Sequence, residues 1–513
     1  MDRKGGPPMN GSARYAPPRA AAMMEALRGL GYSTAAALAD IVDNSVSAGA
    51  KEVRIDFVWD QNASRISVID DGDGMDDTEL ESAMTLGDKN PLDERSPHDL
   101  GRFGMGLKTA SFSQCRRLTV ASLRENRSIS CLRWDLDEIA ARSDDGWLLF
   151  EGPAPGSEQF LEPLSERSKG TLVLWEKLDR VVTEGFSVDD FSDMIDAIEA
   201  RLAMVFHRLL QGPCPSLRLR INSRPVEPWD PFMSGHAAKP WESPVARQYA
   251  PSGLVEVACH VLPHRELLTP DEYEKAGGPE GWTAQQGFYV YRNQRLLLAG
   301  GWLGLGQGRA WNREEAHRLA RVRLDIPNTA DAEWKIDIRK STARPPVSLR
   351  PWLTRLAEDT RDRARRVFAY RGSPVPGPGG TTVEQAWRVE HVRSGMRYRI
   401  DAKHPAVAAV LDAAGAFLPL VKAMLSVVEE TVPIQRIWLD TAENRETPRT
   451  GFSGEPPEHV VAVLETLFED MIGRRCMSRT AAKRTLAGTE PFQNYPELVA
   501  ALPDGAETKT ETK

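Results

Sequence analysis

The sequence predicts a protein of the α+β class that is divided into several domains. At 513 residues the chain is too long for one hydrophobic core, and roughly two to four domains are expected. Helical and strand-like stretches alternate up to about residue 215, and further strand-like stretches followed by a helix reach about residue 371. A segment rich in proline and glycine, RGSPVPGPGG, then precedes a smaller part of mixed patterning.

These changes in composition predict the domain boundaries. The first residues are rich in glycine, proline and arginine, which is typical of a flexible arm. The predicted segments are an arm at 1–20, an N-terminal domain at 21–215, a second domain at 216–371, a linker at 372–380, a C-terminal interaction domain at 381–503 and a polar tail at 504–513.

Periodicity predicts the elements within each domain. In the N-terminal domain we expect a helix over 21–49, a pair of strands at VRIDFVW and RISVIDD, a helix at LKTASFSQC and a strand at GTLVLWEKL. In the second domain we expect strands at SLRLRINSRPV, LVEVACHVL and GFYVYRNQRLLL, and a helix from about 348. In the C-terminal domain VPIQRIWLD (432–440) predicts a strand and PPEHVVAVLETLFEDMIGRRC an amphipathic helix.

The composition excludes several classes of protein. No apolar run approaches the roughly 20 residues of a membrane span, so no membrane partner is expected. The five cysteines lack CxxC spacing, which argues against a zinc ribbon or a disulfide framework and predicts a cytoplasmic location. The net charge of −8 gives no overall attraction to nucleic acid, so any such contact requires a local basic patch.

The stretch ALADIVDNSVSAGA (37–50) places polar residues inside an apolar helical pattern. Asp40 and Asn44 are four residues apart and therefore lie one above the other on one side of the helix. Carboxylates and amides are costly to bury without partners. Either this side of the helix is solvated, or a ligand binds to it.

A second polar feature is RISVIDDGDGMD (65–76). Asp70 ends a predicted strand, and Gly72 and Gly74 follow at alternate positions. A carboxylate at a strand end can accept a hydrogen bond from an exocyclic amine, and glycines allow a ligand to approach the backbone. The same pattern alone is also typical of a simple turn.

Two further stretches contain glycine. In LGRFGMGLKTASFSQC (100–115), Gly101, Gly104 and Gly106 precede a predicted helix, whose free backbone N–H groups suit a phosphate. The spacing is GxxGxG rather than the dinucleotide GxGxxG, and the chain has no GxxxxGK[ST] loop. In SKGTLVLWEKL (168–178), Gly170 and Thr171 open a strand.

Together, in this order and spacing, the four stretches resemble the GHKL ATPase superfamily of DNA gyrase B, heat-shock chaperones, histidine kinases and MutL, and are closest to prokaryotic MORC-like ATPases. The resemblance implies a Bergerat-type ATP-binding α/β sandwich, a βαβ transducer domain and a small C-terminal mixed α/β domain. It implies ATP and Mg²⁺ as ligands, with Asn44 holding the metal. The residues that it assigns to nucleotide binding are Asn44, Asp70, Gly72, Gly74, Met75, Gly101, Gly104, Met105, Gly106, Leu107, Lys108 and Thr171, and residues 75–100 would form a lid over ATP.

The resemblance also assigns the catalytic base. Relatives place a glutamate four residues before the asparagine, where this chain has Asp40. A carboxylate withdrawn by about 1 Å can cost about 10²-fold in rate, so we expect slow hydrolysis, unless the backbone compensates. Asp43 is interpreted as a structural hydrogen-bonding residue, with water positioning as the alternative. Lys108 either contacts phosphate or has a solvated side chain.

In the second domain the resemblance implies a lysine that contacts the γ-phosphate. EWKIDIRKSTARPP (333–346) offers Lys340, with Lys335 as runner-up. A compact ammonium group suits charge that develops on a transferred phosphoryl group. A surface lysine at a strand end is the alternative interpretation.

An arginine-rich strip at 344–371 is the local patch that DNA would require. It contains eight arginines against three acidic residues, although such runs are often solvated helix faces. The resemblance implies an ATP-dependent homodimer that clamps DNA, in DNA handling or in defence with a helicase or nuclease. A chaperone-like clamp on protein clients and a nucleotide-sensing scaffold with negligible turnover are the alternatives.

Overall fold

The computed structural model describes residues 18–29, 31–88, 106–142, 146–331, 333–337, 342–369, 385–392, 395–434, 437 and 458–503. The chain divides into two compact units, which comprise residues 1–371 and 372–513. Helices and sheets occur in both units, which confirms the predicted α+β class.

The first unit begins with an eight-stranded sheet of order β5-β4-β3-β6-β2-β1-β7-β8. Strands β1 and β2 form the predicted antiparallel pair, in which Val53 lies opposite Asp70. The strands are β1 (Glu52–Val58), β2 (Arg65–Asp70), β3 (Arg117–Leu123), β4 (Ser130–Asp135), β5 (Phe150–Glu151), β6 (Gly170–Glu176), β7 (Arg218–Ile221) and β8 (Arg224–Pro225).

The boundary predicted at 215 is wrong for this sheet. Strand β7 pairs in parallel with β1, and β8 pairs with β7, so the first sheet extends to Pro225. The hairpin SLRLRINSRPV was assigned to the second domain because sequence periodicity does not reveal the partner of a strand.

Helices pack against this sheet and against one another. The single helix predicted over 21–49 is two helices, because the chain leaves the helix at Gly29 and Ser33 caps a new one by accepting a hydrogen bond from the Ala36 N–H. The helices are α1 (Ala20–Arg28), α2 (Thr34–Ser47), α3 (Asp77–Met84), α4 (Gly106–Phe112), α5 (Leu136–Ala140), α6 (Glu162–Ser165), α7 (Val188–Val205) and α8 (His207–Leu210).

A second sheet follows in the same unit, with the order β10-β11-β14-β12-β13 and β9 paired to β11. Strands β12 and β14 are parallel, and helix α10 packs against β11 and β14. The elements are β9 (Trp241–Glu242), β10 (Ala246–Ala250), β11 (Gly253–Val261), α9 (Pro270–Gly277), β12 (Gly287–Arg292), β13 (Arg295–Ala299), β14 (Ala320–Asp325) and α10 (Arg350–Ala369).

Contacts from α8 join the two sheets. Arg208 pairs with Asp325 of β14 at 2.5 Å and lies over the ring of Tyr291, 3.4 Å from its centroid. His207 shares a 2.8 Å hydrogen bond with the Tyr291 hydroxyl. Burial lowers the pKa of His207 to about 4, so the imidazole is neutral near pH 7.

The second unit contains a hairpin and several helices. Ile437 donates its N–H to the carbonyl of Pro433, and both Ile434 and Ile437 are helical, so the strand predicted at VPIQRIWLD is wrong at these positions. The amphipathic helix predicted after it is present. The elements are β15 (Trp387–Val392), β16 (Gly395–Ile400), α11 (Pro405–Ala413), α12 (Leu418–Glu430), α13 (Glu458–Gly473), α14 (Arg479–Ala487) and α15 (Pro496–Ala500).

Within the described ranges no single helix is long and apolar enough to cross a membrane. One bent pair, Pro405–Ala413 and Gly415–Glu430, passes by length and composition only, with a bend of 109°.

Candidate nucleotide-binding site

Asp70, at the end of β2, lies at the centre of a hydrogen-bond network. Its side chain is 6% exposed, and Oδ1 accepts hydrogen bonds from the backbone N–H groups of Gly72 (2.9 Å) and Thr171 (3.1 Å). Oδ2 accepts from the Ser45 hydroxyl of α2 at 2.7 Å. Burial raises the pKa of Asp70, while these three hydrogen bonds oppose that rise.

The carboxylate of Asp70 has room for one more donor. An ionised carboxylate accepts about four hydrogen bonds, and three donors are in place. Ser45 was not identified from the sequence, although it directly follows Asn44. The arrangement suits an amine donor such as that of adenine.

Gly74 packs closely against β3. It adopts φ +68°, and a Cβ at this position would lie 2.0 Å from the Leu123 carbonyl oxygen. The backbone of β3 therefore requires a glycine at this position. Beside it, Met75 donates its N–H to Ser122, whose hydroxyl lies 2.8 Å from that of Thr171. Met75 and Thr171 are thus joined through one serine.

We expect Gly74→Ala to destabilise the protein by at least about 4 kcal/mol, because both the steric clash and the left-handed backbone oppose a Cβ. Gly156→Ala is the matched control, since Gly156 has φ +88° with nothing within 4 Å of the added Cβ. This control isolates the backbone cost of about 1–2 kcal/mol. Urea unfolding measures the free energy of unfolding of both variants. Equal decreases for Gly74→Ala and Gly156→Ala would show that the contact with Leu123 is unimportant.

Asp40 is a residue of α2 whose side chain lies close to α4 and to Arg295 of the second sheet. Its carboxylate is 5% exposed, and Oδ2 accepts a hydrogen bond from the Tyr32 hydroxyl at 3.1 Å. Burial, together with the charges of Asp40 and Asp337, raises the pKa of Tyr32 well above its usual range, so the phenol remains a donor. A Cβ on Gly106 would lie 3.8 Å from Asp40 Oδ2, which places the carboxylate beside the first residue of α4.

The remaining predicted residues of the phosphate turn are only partly described. Gly101, Gly104 and Met105 lie outside the described residues, as does Lys340. Leu107 is half-buried and packs against the core. Asn44 is exposed on α2, one helical turn from Asp40. The runner-up Lys335 is exposed too.

Asp337, which precedes the undescribed residues around Lys340, lies close to the site. Asp337 lies near enough to Tyr32 for its charge to raise the pKa of the phenol. Asp337 also accepts a hydrogen bond from the Thr342 N–H at 2.8 Å, which joins the described residues on either side of Lys340.

Lys108 is buried, which excludes a solvated side chain. Its ammonium group donates to the carbonyl oxygens of Ala83 (2.8 Å) and Thr85 (2.9 Å) at the C-terminal end of α3, where a cation is favourable. Helix α3 also packs Leu80 and Met84 into the core. The first part of the predicted lid is therefore an anchored helix, whereas residues 89–100 lie outside the described part.

We expect Lys108→Met to lower the free energy of unfolding by about 3 kcal/mol, because the carbonyls of two half-buried residues lose a charged donor. The exposed Lys51 provides the control variant Lys51→Met. Urea unfolding of the nucleotide-free protein measures both. Unchanged stability combined with lost ATP affinity would favour the predicted phosphate contact instead.

Arg295 was missed by the sequence reasoning. It lies at the start of β13 and is 4% exposed, and its Nε lies 3.1 Å from both carboxylate oxygens of Asp43. Its Nη2 lies 3.8 Å from Asp40 Oδ1. A structural role for Asp43 is thus favoured. The sequence does show that Arg295 begins the apolar run RLLL, which indicates a buried arginine that needs a partner. Nothing in the sequence indicates that this partner lies 252 residues away.

The N-terminal part of the chain also matches known proteins. Residues 32–171 match the family of histidine kinase-, DNA gyrase B- and HSP90-like ATPases, a range that begins at Tyr32 and ends at Thr171. This chain carries a GHKL-type ATPase domain. It is also similar to the protein called ATPase morc-1 of Caenorhabditis elegans, with 25% identity over 193 residues. That match spans 32% of this chain and 22% of the relative.

The residues of the GHKL domain fit ATP. Asp70 offers an acceptor to an adenine amine, and the exposed Asn44 offers the amide oxygen that a hard cation such as Mg²⁺ prefers. Arg295 lies outside the matched range and reaches the domain from the second sheet.

Proposed function

We propose that this protein is an Mg²⁺-dependent ATP hydrolase in which Asp40 activates the attacking water. The position of Asp40 carries the proposal, because its buried carboxylate lies beside the first residue of α4 and is oriented by the Tyr32 hydroxyl. A general base must be held at a fixed position near the nucleophile. The short aspartate side chain supports slow turnover.

The chain's own residues would hold the substrate as follows. Asp70 accepts from the base, and Asn44 provides a ligand for Mg²⁺, which neutralises charge on the phosphates when bound. The sequence around Lys340 supplies the candidate for a lysine that contacts the γ-phosphate, with Lys335 as runner-up.

We further propose that ATP binding drives dimerisation and that the dimer closes around DNA as a clamp. Six arginines in the strip on and before α10 are exposed and support contact with phosphates: Arg344, Arg350, Arg355, Arg363, Arg365 and Arg366. Arg361 is unavailable, because its guanidinium is buried between the rings of Trp302 and Trp311, at 4.6 and 4.7 Å from their centroids. Arg371 lies outside the described residues. Resemblance to prokaryotic MORC-like ATPases extends the proposal to handling or restricting foreign DNA beside a helicase or nuclease.

One experiment tests both parts of the proposal. The ATPase rate and the sizing profile are measured with ATP or a non-hydrolysable analogue, with and without duplex DNA. DNA-stimulated turnover and salt-sensitive retention of DNA are the expected results. If ATP drives dimerisation but DNA changes neither the ATPase rate nor the sizing profile, the DNA clamp is overturned and the ATPase function is retained. If ATP is not hydrolysed at all, the ATPase function is overturned.

A clamp on protein clients is the second candidate. On α10, Arg355, Asp359, Asp362 and Arg366 follow one another at steps of four, three and four, so one exposed stripe carries both charges. Phe417, before α12, and Leu420, Met424 and Val427 on α12 are each more than half exposed and share helical spacing. A mixed charged stripe and an apolar stripe suit a protein surface better than a polyanion.

A further inference from the structure

The contact of Arg295 with α2 joins the second sheet to the proposed catalytic base. Its Nε lies 3.1 Å from both oxygens of Asp43, its Nη1 donates to the Leu296 carbonyl at 2.9 Å, and its Nη2 faces Asp40. All three nitrogens of the guanidinium are therefore engaged. A planar guanidinium held in this way has one orientation.

Each oxygen of the Asp40 carboxylate has a neighbour outside α2. The Tyr32 hydroxyl contacts Oδ2 at 3.1 Å from within the GHKL domain, and Arg295 Nη2 lies 3.8 Å from the other oxygen, Oδ1. Only the second of these contacts comes from outside the GHKL domain. A displacement of β13 relative to α2 would thus release one side of the base and leave the other in place.

The charges at this contact are buried. Asp43 is 1% exposed, and Asp40 and Arg295 are nearly as buried. Buried charges are expensive unless they are paired, so removal of the cation leaves two carboxylates close together. The geometry is therefore poorly explained as a surface ion pair that happens to form.

We propose that Arg295 is a positioning residue that orients Asp40 and makes hydrolysis depend on how β13 packs against α2. The proposal rests on the proposed ATPase function. Arg295 contacts no atom that would react, and it acts through Asp40 and Asp43. Through Arg295 the second domain controls the rate of the chemical step, while Arg295 itself takes no part in ATP binding.

The test compares Arg295→Gln with Arg208→Gln in the full chain. Both changes remove a guanidinium that pairs a helix with a strand of the second sheet, α8 with β14 for Arg208 and α2 with β13 for Arg295, but only Arg295 is near Asp40. We expect Arg295→Gln to lower kcat by about ten- to a hundredfold while the Kd for ATP, measured by equilibrium binding, stays within about twofold. Arg208→Gln should leave kcat unchanged.

Arg295→Lys serves as the rescue variant. It retains a cation in the pocket but loses the planar fork, so we expect a kcat between those of wild type and Arg295→Gln. It also keeps the test valid if Arg295→Gln does not fold. Equal kcat for all three arginine variants and wild type would overturn the proposal, as would equal losses for Arg295→Gln and Arg208→Gln.

A second measurement does not depend on turnover. In the nucleotide-free protein, Arg295→Gln should shift the urea midpoint strongly, whereas in an Asp43→Asn background the same change should shift it much less, because the pair is already broken. Additive shifts would overturn the contact itself. A wild type without turnover but with this coupling would refute the proposed function while the contact stands.

Discussion

Replacing Asp70 with asparagine is expected to weaken ATP binding by about 10²-fold or more. An asparagine has one acceptor oxygen and one donor NH₂, while Ser45, Gly72 and Thr171 already supply three donors. In the variant the asparagine NH₂ either points at the adenine amine, which is also a donor, or points at one of the protein N–H or O–H groups and leaves it unpaired. Each hydrogen bond lost in this way costs about 1–3 kcal/mol. Isothermal titration with a non-hydrolysable ATP analogue measures the effect.

Asp73→Asn is the matched control for this prediction. Asp73 lies three residues further along the same loop, but it is exposed and pairs with Lys169 at 2.8 Å. Neutralising it should change ATP affinity by less than about threefold, because exposed pairs contribute little. Equal affinity of wild type and Asp70→Asn would remove Asp70 from the nucleotide site.

Replacing Asp40 with alanine is expected to lower kcat by about 10²–10⁴-fold, the usual contribution of a general base. Affinity for ATP should change little, because Asp40 is assigned to the water and not to the nucleotide. Single-turnover hydrolysis under saturating ATP measures this effect. If Asp40→Ala hydrolyses ATP at the same rate as the wild type, Asp40 is not the base.

The companion variant Asp40→Glu tests the explanation for slow turnover. Adding one methylene advances the carboxylate by about 1 Å, and we expect faster hydrolysis by up to about 10²-fold. A slower glutamate variant would show that the contacts with Tyr32 and Arg295 already hold the aspartate at its working distance.

Local patterns in the sequence predicted local structure well. The β1–β2 hairpin, the strand at β6 and the helix at α13 follow directly from periodicity and turn chemistry. The glycine and carboxylate motifs located the GHKL domain. The break between α1 and α2 was missed because apolar periodicity continues across Gly29 and Ser33.

Contacts between distant segments could not be predicted. Pairing of β7 with β1, burial of Lys108 under α3 and the reach of Arg295 to Asp43 all depend on which surfaces meet in three dimensions. A buried lysine and an exposed lysine look alike in a sequence. The same limit applies to Gly74, where the residue type was informative but its neighbour, Leu123, was not.

Strand β7 belongs to the first sheet although it lies far along the chain, and this matters for the production of the GHKL domain alone. A fragment that stops at 215 lacks β7 and β8, and its β1 becomes an open edge with unsatisfied backbone groups. Val226, which packs into the same core, would be lost as well. Such a fragment is prone to aggregate, and a recombinant domain should retain the chain at least through Val226. The ribosome likewise has to synthesise more than 200 residues before β1 gains its second neighbour.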